Sequence, residues 1–353
     1  MRKLLFISIF CFVAIGARAQ QQYVFTNFMM NDFYYNPAIA GMKDVHMANV
    51  GFRKQWAGFD DAPLSLYANY YGSFRNQRTH GYGASIVNDQ SGLVTNTGFL
   101  VNYVYHLKLG EKQKLAFGVK PGFQQYNIKL YDALLADEGD PLLTGNVLST
   151  GAFDFQAGLN WYADDFFLMA SMRHIFGKSL KKLTGFNAGL AKHYTVIGGY
   201  HWNLNKKKKK GTEADSTGTE LTEVTEIDTS GVKKKKKKDF ILSPMVMMNY
   251  VGPVTPQVSF MLKATYDNKY WLGLNYRSQD ALGVSLGIVI KKRLHIGYSF
   301  DYGMFSDLQS YNSGSHEIML SFQVTNKKPS LDEQDEELNN SIFDDEKDKK
   351  KKK

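Results

Sequence analysis

Few side chains in this sequence are spaced as reaction chemistry requires. The eight histidines are scattered and no two share a ligand-like spacing, so no metal site is expected. Gly81-Tyr82-Gly83 opens a strand-like stretch with no helix behind it, which argues against a phosphate-binding loop. No serine is framed as a nucleophile elbow, and no acid, base and nucleophile set can be assembled. Asp137-Glu138-Gly139-Asp140 offers carboxylates for a calcium ion, although a solvated acidic turn is the simpler reading. The chain therefore reads as a protein that is not an enzyme and carries no cofactor.

Binding chemistry is better represented. Lys54-Gln55-Trp56-Ala57-Gly58-Phe59 sets two large aromatics beside glycines, and Arg53, Gln55, Trp56, Gly58 and Phe59 form a candidate partner-binding loop. The competing reading makes Trp56 part of an interfacial aromatic girdle, or a lock holding the loop at a barrel mouth. His316-Glu317 reads as a lumen or rim network in preference to a functional pair. Lysine runs at 206–210, 233–238 and 349–353 hold sixteen of the 43 basic residues. Lys206, Lys210, Lys233 and Lys238 are candidates for contact with anionic lipid, peptidoglycan or an acidic periplasmic partner, against a default of solvated tethers. Without those runs acidic residues outnumber basic ones by seven, so the formal charge of +9 is not that of a folded basic surface and no nucleic-acid partner is expected.

The elements that must position these residues are strands. Arg2 and Lys3, an apolar run over 4–16 and Ala17-Arg18-Ala19 make a signal peptide of residues 1–19, cleaved before Gln20. It would carry away Cys11, the single cysteine. No later stretch holds the roughly 18 to 20 apolar residues of a spanning helix, yet Tyr (21), Phe (24) and Gly (31) are abundant. Period-two alternation dominates instead. Val258, Phe260, Leu262, Ala264 and Tyr266 share one face, and Ile318, Leu320, Phe322 and Val324 share another. The expected fold is all-β, a transmembrane antiparallel barrel of about fourteen strands over residues 44–325. Connections alternate between short turns and longer loops, which places the short ones in the periplasm with the N- and C-termini. Residues 205–238 and 326–353 then read as a disordered periplasmic insert and tail. Residues 20–43 form a separate segment in which Phe25, Phe28, Met29 and Phe33 have helical spacing up to Asn36-Pro37. That piece is either a mouth segment of the barrel or a soluble cap helix.

Several pieces together resemble the PorP/SprF family of outer-membrane proteins of type IX secretion and gliding motility. They are Tyr35-Asn36-Pro37-Ala38 with Gly41, Arg53, Gln55-Trp56, Gly58-Phe59 and Ala62-Pro63. Later echoes are Trp271-Leu272-Gly273, Tyr276-Arg277 and Ser315-His316-Glu317-Ile318. Asn36, Pro37, Gly41, Pro63, His316 and Glu317 are read as structural motif positions. The resemblance implies a barrel in the outer membrane of a Gram-negative cell that helps export or retain a secreted protein, such as a large adhesin with a C-terminal sorting domain. Its other implied partners are outer-membrane lipid and periplasmic type IX components or peptidoglycan. The alternative is a transport barrel similar to FadL-type channels, which share an Asn-Pro-Ala element near the start.

Overall fold

The computed structural model describes residues 24–43, 45–74, 77–110, 112–129, 147–177, 190–205, 238–252, 254–304 and 313–324. The signal peptide, the 137–140 acidic turn, Lys206, Lys210, Lys233 and the 326–353 tail lie outside them. Among the described residues fourteen strands form one antiparallel sheet that closes on itself. They are β1 (His46–Lys54), β2 (Leu64–Phe74), β3 (Gln77–Ser91), β4 (Val94–Lys108), β5 (Lys114–Lys129), β6 (Val147–Tyr162), β7 (Phe166–Arg173) and β8 (His193–Tyr200), the last continued after His201 by Trp202–Asn203. β9 (Phe240–Val251), β10 (Gln257–Tyr266), β11 (Tyr270–Arg277), β12 (Ala281–Ile290), β13 (Leu294–Gly303) and β14 (Ser315–Val324) follow. Each strand pairs with its neighbours in sequence, and β1 pairs with β14 to close the ring. Closure leaves no strand edge unpaired, which is what a sheet in lipid requires.

Alternation sets the two faces. Along β4 exposed and buried side chains alternate from Phe99 to Leu107, and β14 exposes Ile318, Leu320 and Phe322 while burying Glu317, Met319 and Ser321. The outward face is apolar and aromatic: Leu274 and Leu286 are 57% and 51% exposed, and Phe99 and Phe153 are 55% and 69% exposed. In water such a surface would drive aggregation, and in a bilayer it is the solvated face. The inward face holds Asn49, Arg53, Asn69, Lys120, Asp154 and Asp301, all buried.

Two ends are distinguishable. The near end, where β1 begins and β14 finishes, has tight turns at 163–165, 267–269 and 291–293. Asp267 and Asn268 have φ of 51° and 48°, and Lys291 and Lys292 have 49° and 55°. Two consecutive left-handed residues are the mark of type I′ turns, whose twist matches that of the paired strands. The far end carries the connections 55–63, 130–146, 174–192 and 304–314, but also short ones at 92–93 and 278–280.

Residues 24–43 run through the inside of this barrel. The continuous helix suggested by the aromatic spacing is replaced by turns, one α-helical turn (Asp32–Tyr35) and one 3-10 turn (Pro37–Ile39). A helix with one apolar stripe needs a polar side facing water. Here Phe25, Phe28, Phe33 and Tyr35 are each 1% exposed or less, because wall surrounds the segment on all sides.

Candidate functional site

The candidate site is the lumen, with the N-terminal segment as its occupant. At the far end the segment is held by an ionic cluster. Arg53 on β1 places Nη2 at 2.8 Å from Asp301 Oδ2 on β13 and Nη1 at 3.2 Å from Glu317 Oε2 on β14. Arg277, at the end of β11, reaches the same Asp301 oxygen at 3.1 Å and Asp280 at 2.7 Å. The plug enters this cluster through its backbone. The amides of Thr26 and Asn27 donate to the two Glu317 oxygens at 2.8 and 3.1 Å. Arg53 Nη1 and Arg277 Nη2 donate to Thr26 Oγ1 at 2.8 and 3.1 Å, and that hydroxyl donates to Asp301. Charges this deep are tolerable when paired and hydrogen-bonded, although Arg53 Nε is buried without a partner. The plug backbone supplies donors that complete the Glu317 carboxylate.

Aromatic packing fills the middle. Phe33 stacks on Tyr71 at 4.4 Å between ring centres, and Phe25 meets Tyr34 and Tyr67 edge-on at 5.1 and 5.0 Å. The Tyr35 hydroxyl accepts the Phe25 amide at 2.7 Å, which folds the segment back on itself. Lys120 Nζ donates to the Phe33 carbonyl at 3.0 Å and lies 3.9 Å from the centre of the Phe33 ring. Arg173 faces the Tyr34 ring at 5.1 Å. Beside it Asp154 accepts from Gln124 at 2.6 Å and Gln156 at 2.9 Å, and pairs with His174 at 3.0 Å.

The Asn36-Pro37-Ala38 piece fixes the lower half. Asn36 Nδ2 donates to the carbonyls of Leu159 and Ala170 at 2.8 and 3.2 Å, while its Oδ1 accepts the Ala38 amide at 2.8 Å. Asn102 donates to the Pro37 carbonyl at 3.1 Å, and His106 Nε2 lies 2.9 Å from the Ala40 carbonyl. Lumen-facing glycines make room. A side chain on Gly81 would strike the Ala40 carbonyl, one on Gly118 would meet the Ala38 amide at 2.5 Å, and one on Gly158 would strike Asn36. Gly41 has φ +85°, a conformation that favours glycine, where the segment turns toward β1.

The residues singled out from sequence divide accordingly. Asn36, Pro37, Gly41 and Glu317 are parts of the plug or its clasp. His316 is not: the strand turns it outward, where Nδ1 lies 2.8 Å from the Tyr298 hydroxyl. Arg53 is 2% exposed inside the barrel, because it falls on the lumen-facing phase of β1. It is thus a clasp residue and is not presented by the neighbouring loop. Gln55, Trp56 and Phe59 are half-buried at the far end and Gly58 is exposed. The Gln55 amide donates to the Pro63 carbonyl at 2.9 Å and the Trp56 amide to Ser315 Oγ at 3.2 Å. Ala57 exchanges backbone bonds with the 313–314 segment, so the loop is tied to the start of β14. Lys238 lies at the near end, its carbonyl accepting from Asn205 Nδ2 at 2.6 Å. Thr26, Asp301, Lys120 and Arg173 were not singled out. The available signal for the strand residues was a charged side chain on the lumen-facing phase.

Plug and wall leave little free space. Three clefts between them hold about 20, 30 and 10 Å³, room for one or two waters each and not for a solute. The family described as type IX secretion system membrane protein PorP/SprF matches residues 17–322. The chain belongs to this family. This PorP/SprF protein is accordingly a β-barrel of the Gram-negative outer membrane and a component of type IX secretion. No curated protein matches it. Solved barrels that are similar include the toluene transporter TbuX of Ralstonia pickettii, 13% identical with TM-score 0.45 over 87% of this chain and 95% of that one. Others are Omp33 of Acinetobacter baumannii (7%, 0.42, 80% and 100%) and the toluene transporter TodX of Pseudomonas putida (10%, 0.42, 86% and 94%).

Proposed function

We propose that this PorP/SprF protein acts as a non-enzymatic adaptor that helps export, or retain at the cell surface, a secreted protein with a C-terminal sorting domain. The observation that carries the reading is the filled lumen. Hydrogen bonds at both ends of the plug and aromatic packing between them leave clefts of about 10–30 Å³ beside it, so the working surfaces are the two rims and not a conduit. In this reading the far end faces outward, since it carries most of the longer connections, the 205–238 insert excepted. The Gln55–Phe59 loop, pinned to β14 but half-open, presents aromatic anchors to the partner. The near end, with the 205–238 insert and the 326–353 tail, faces the periplasm. Their lysines meet type IX components or peptidoglycan there.

The test pairs two measurements. Affinity capture from intact envelopes should recover a secreted protein with a C-terminal sorting domain, and recovery should fall for Trp56→Ala. Purified protein in liposomes should admit no small solutes in a swelling assay. Capture of no secreted partner together with solute flux would overturn the adaptor reading in favour of a transport barrel.

A further inference from the structure

The position of the first described residues fixes how the plug is threaded. Val24 lines one cleft together with Arg173, His193, Val251 and Thr255. These mark the end of β7, the start of β8, the end of β9 and the approach to β10, all at the far end. Thr26 and Asn27 are bonded to Glu317, the third residue of β14, again at the far end. The other end of the segment is elsewhere. Ala40 lies against Gly81 and His106, close to the start of β3 and the end of β4. Met42 Sδ accepts from Asn160 near the end of β6 at 3.0 Å. His46 then opens β1 at the near end, opposite its register partner Val324.

The chain therefore passes once through the lumen, from far to near, before the first strand begins. Strand parity fixes the end at which β1 starts, but it does not count this passage. A return passage beside the plug would need roughly the 5 Å by 10 Å section of a strand in a sheet, whereas the clefts found there hold about 10–30 Å³. We infer that the residues preceding Val24 leave the barrel at the far end, so that the processed N-terminus and the C-terminal tail lie on opposite sides of the membrane. With the orientation of the proposed function, on which only this clause rests, the N-terminus is displayed at the cell surface.

Cysteine labelling tests the threading in the full chain. Cys11, the one native cysteine, lies in the expected signal peptide, so Tyr23→Cys, Gly139→Cys and Ser330→Cys each give a single reporter on the processed protein. A membrane-impermeant maleimide is applied to intact and to permeabilised cells, with the heat-modifiable band reporting assembly. Labelling of Tyr23→Cys and Gly139→Cys on intact cells, and of Ser330→Cys only after permeabilisation, is the expected result. Tyr23→Cys and Ser330→Cys reacting from the same side would overturn the inference. If Ser330→Cys alone labels on intact cells, the threading stands and the assumed orientation fails. Should Tyr23→Cys not assemble, an epitope inserted between Gln22 and Tyr23 and read by antibody on the same cells gives the same two outcomes.

Discussion

Arg53 and Glu317 face each other in register across the β1–β14 seam that closes the barrel, and their side chains meet inside it at 3.2 Å. The Glu317 carboxylate also receives the Thr26 and Asn27 amides. The pair therefore links closure of the sheet to seating of the plug. Glu317→Ala should cost about 3–5 kcal/mol, because it leaves Arg53 buried with one partner fewer and two plug amides unmet. The midpoint of urea-induced loss of the heat-modifiable form should fall. In the double variant Arg53→Met, Glu317→Leu the two losses should sum to less than additive, by a coupling of roughly 0.5–3 kcal/mol.

Steric fit between plug and wall gives a second expectation. In Gly81→Val the new side chain occupies the position of the Ala40 carbonyl, and both are backed by closed sheet. The barrel should still form, since β3 favours a β-branched residue, but residues 24–42 should become cleavable by protease and ion conductance in planar bilayers should rise. Gly98→Ala, whose added carbon meets the Gln124 side chain at 3.4 Å and the Leu100 side chain at 3.6 Å, should behave as the parent.

Asn36 provides a contrast with His316. Asn36→Ala removes two donated bonds and one accepted bond at a buried position, which should cost about 1–3 kcal/mol by unmet carbonyls alone. His316→Ala loses one outward bond to Tyr298 and should cost about 0.5–1.5 kcal/mol. Equilibrium unfolding in detergent ranks the two, and a larger effect at His316 would contradict the assignment of Asn36 to the plug.

The lipid-facing surface predicts a directional response to charge. Leu286, near the middle of β12 and 51% exposed, should lose about 2–4 kcal/mol on replacement by Arg if it lies at the bilayer midplane. Refolding titrations into lipid vesicles measure this directly, and a cost near zero would place β12 outside the hydrocarbon.

Removal of residues 206–237 should leave assembly unchanged. The Leu204 amide already donates to the Phe240 carbonyl at 2.9 Å, and Asn205 Nδ2 is 2.6 Å from the Lys238 carbonyl, so the cut ends meet as a three-residue turn. The heat-modifiable band should persist at full yield, while capture of periplasmic partners should drop.

Much of this was legible in the chain. Alternation of the type seen at Val258–Tyr266 located the strands, because a side chain on a strand has only two directions and lipid selects apolar ones for one of them. The Asn36-Pro37 and Gln55-Trp56 pieces pointed to the family that the match over residues 17–322 shows. The helical spacing of Phe25, Phe28 and Phe33 misled, since periodicity presumes one wet face and a lumen offers none.

The sequence by itself determined strand number, phase and family, all of which follow from local alternation and short motifs. The tertiary structure alone decided what fills the barrel and what holds it. Arg53, Asp301, Glu317 and Thr26 are separated by up to 291 positions, and no local pattern expresses that closure of a ring brings the first strand against the last. The same closure decided the direction of threading, since the path of residues 24–43 is set by the walls around it and not by its own periodicity.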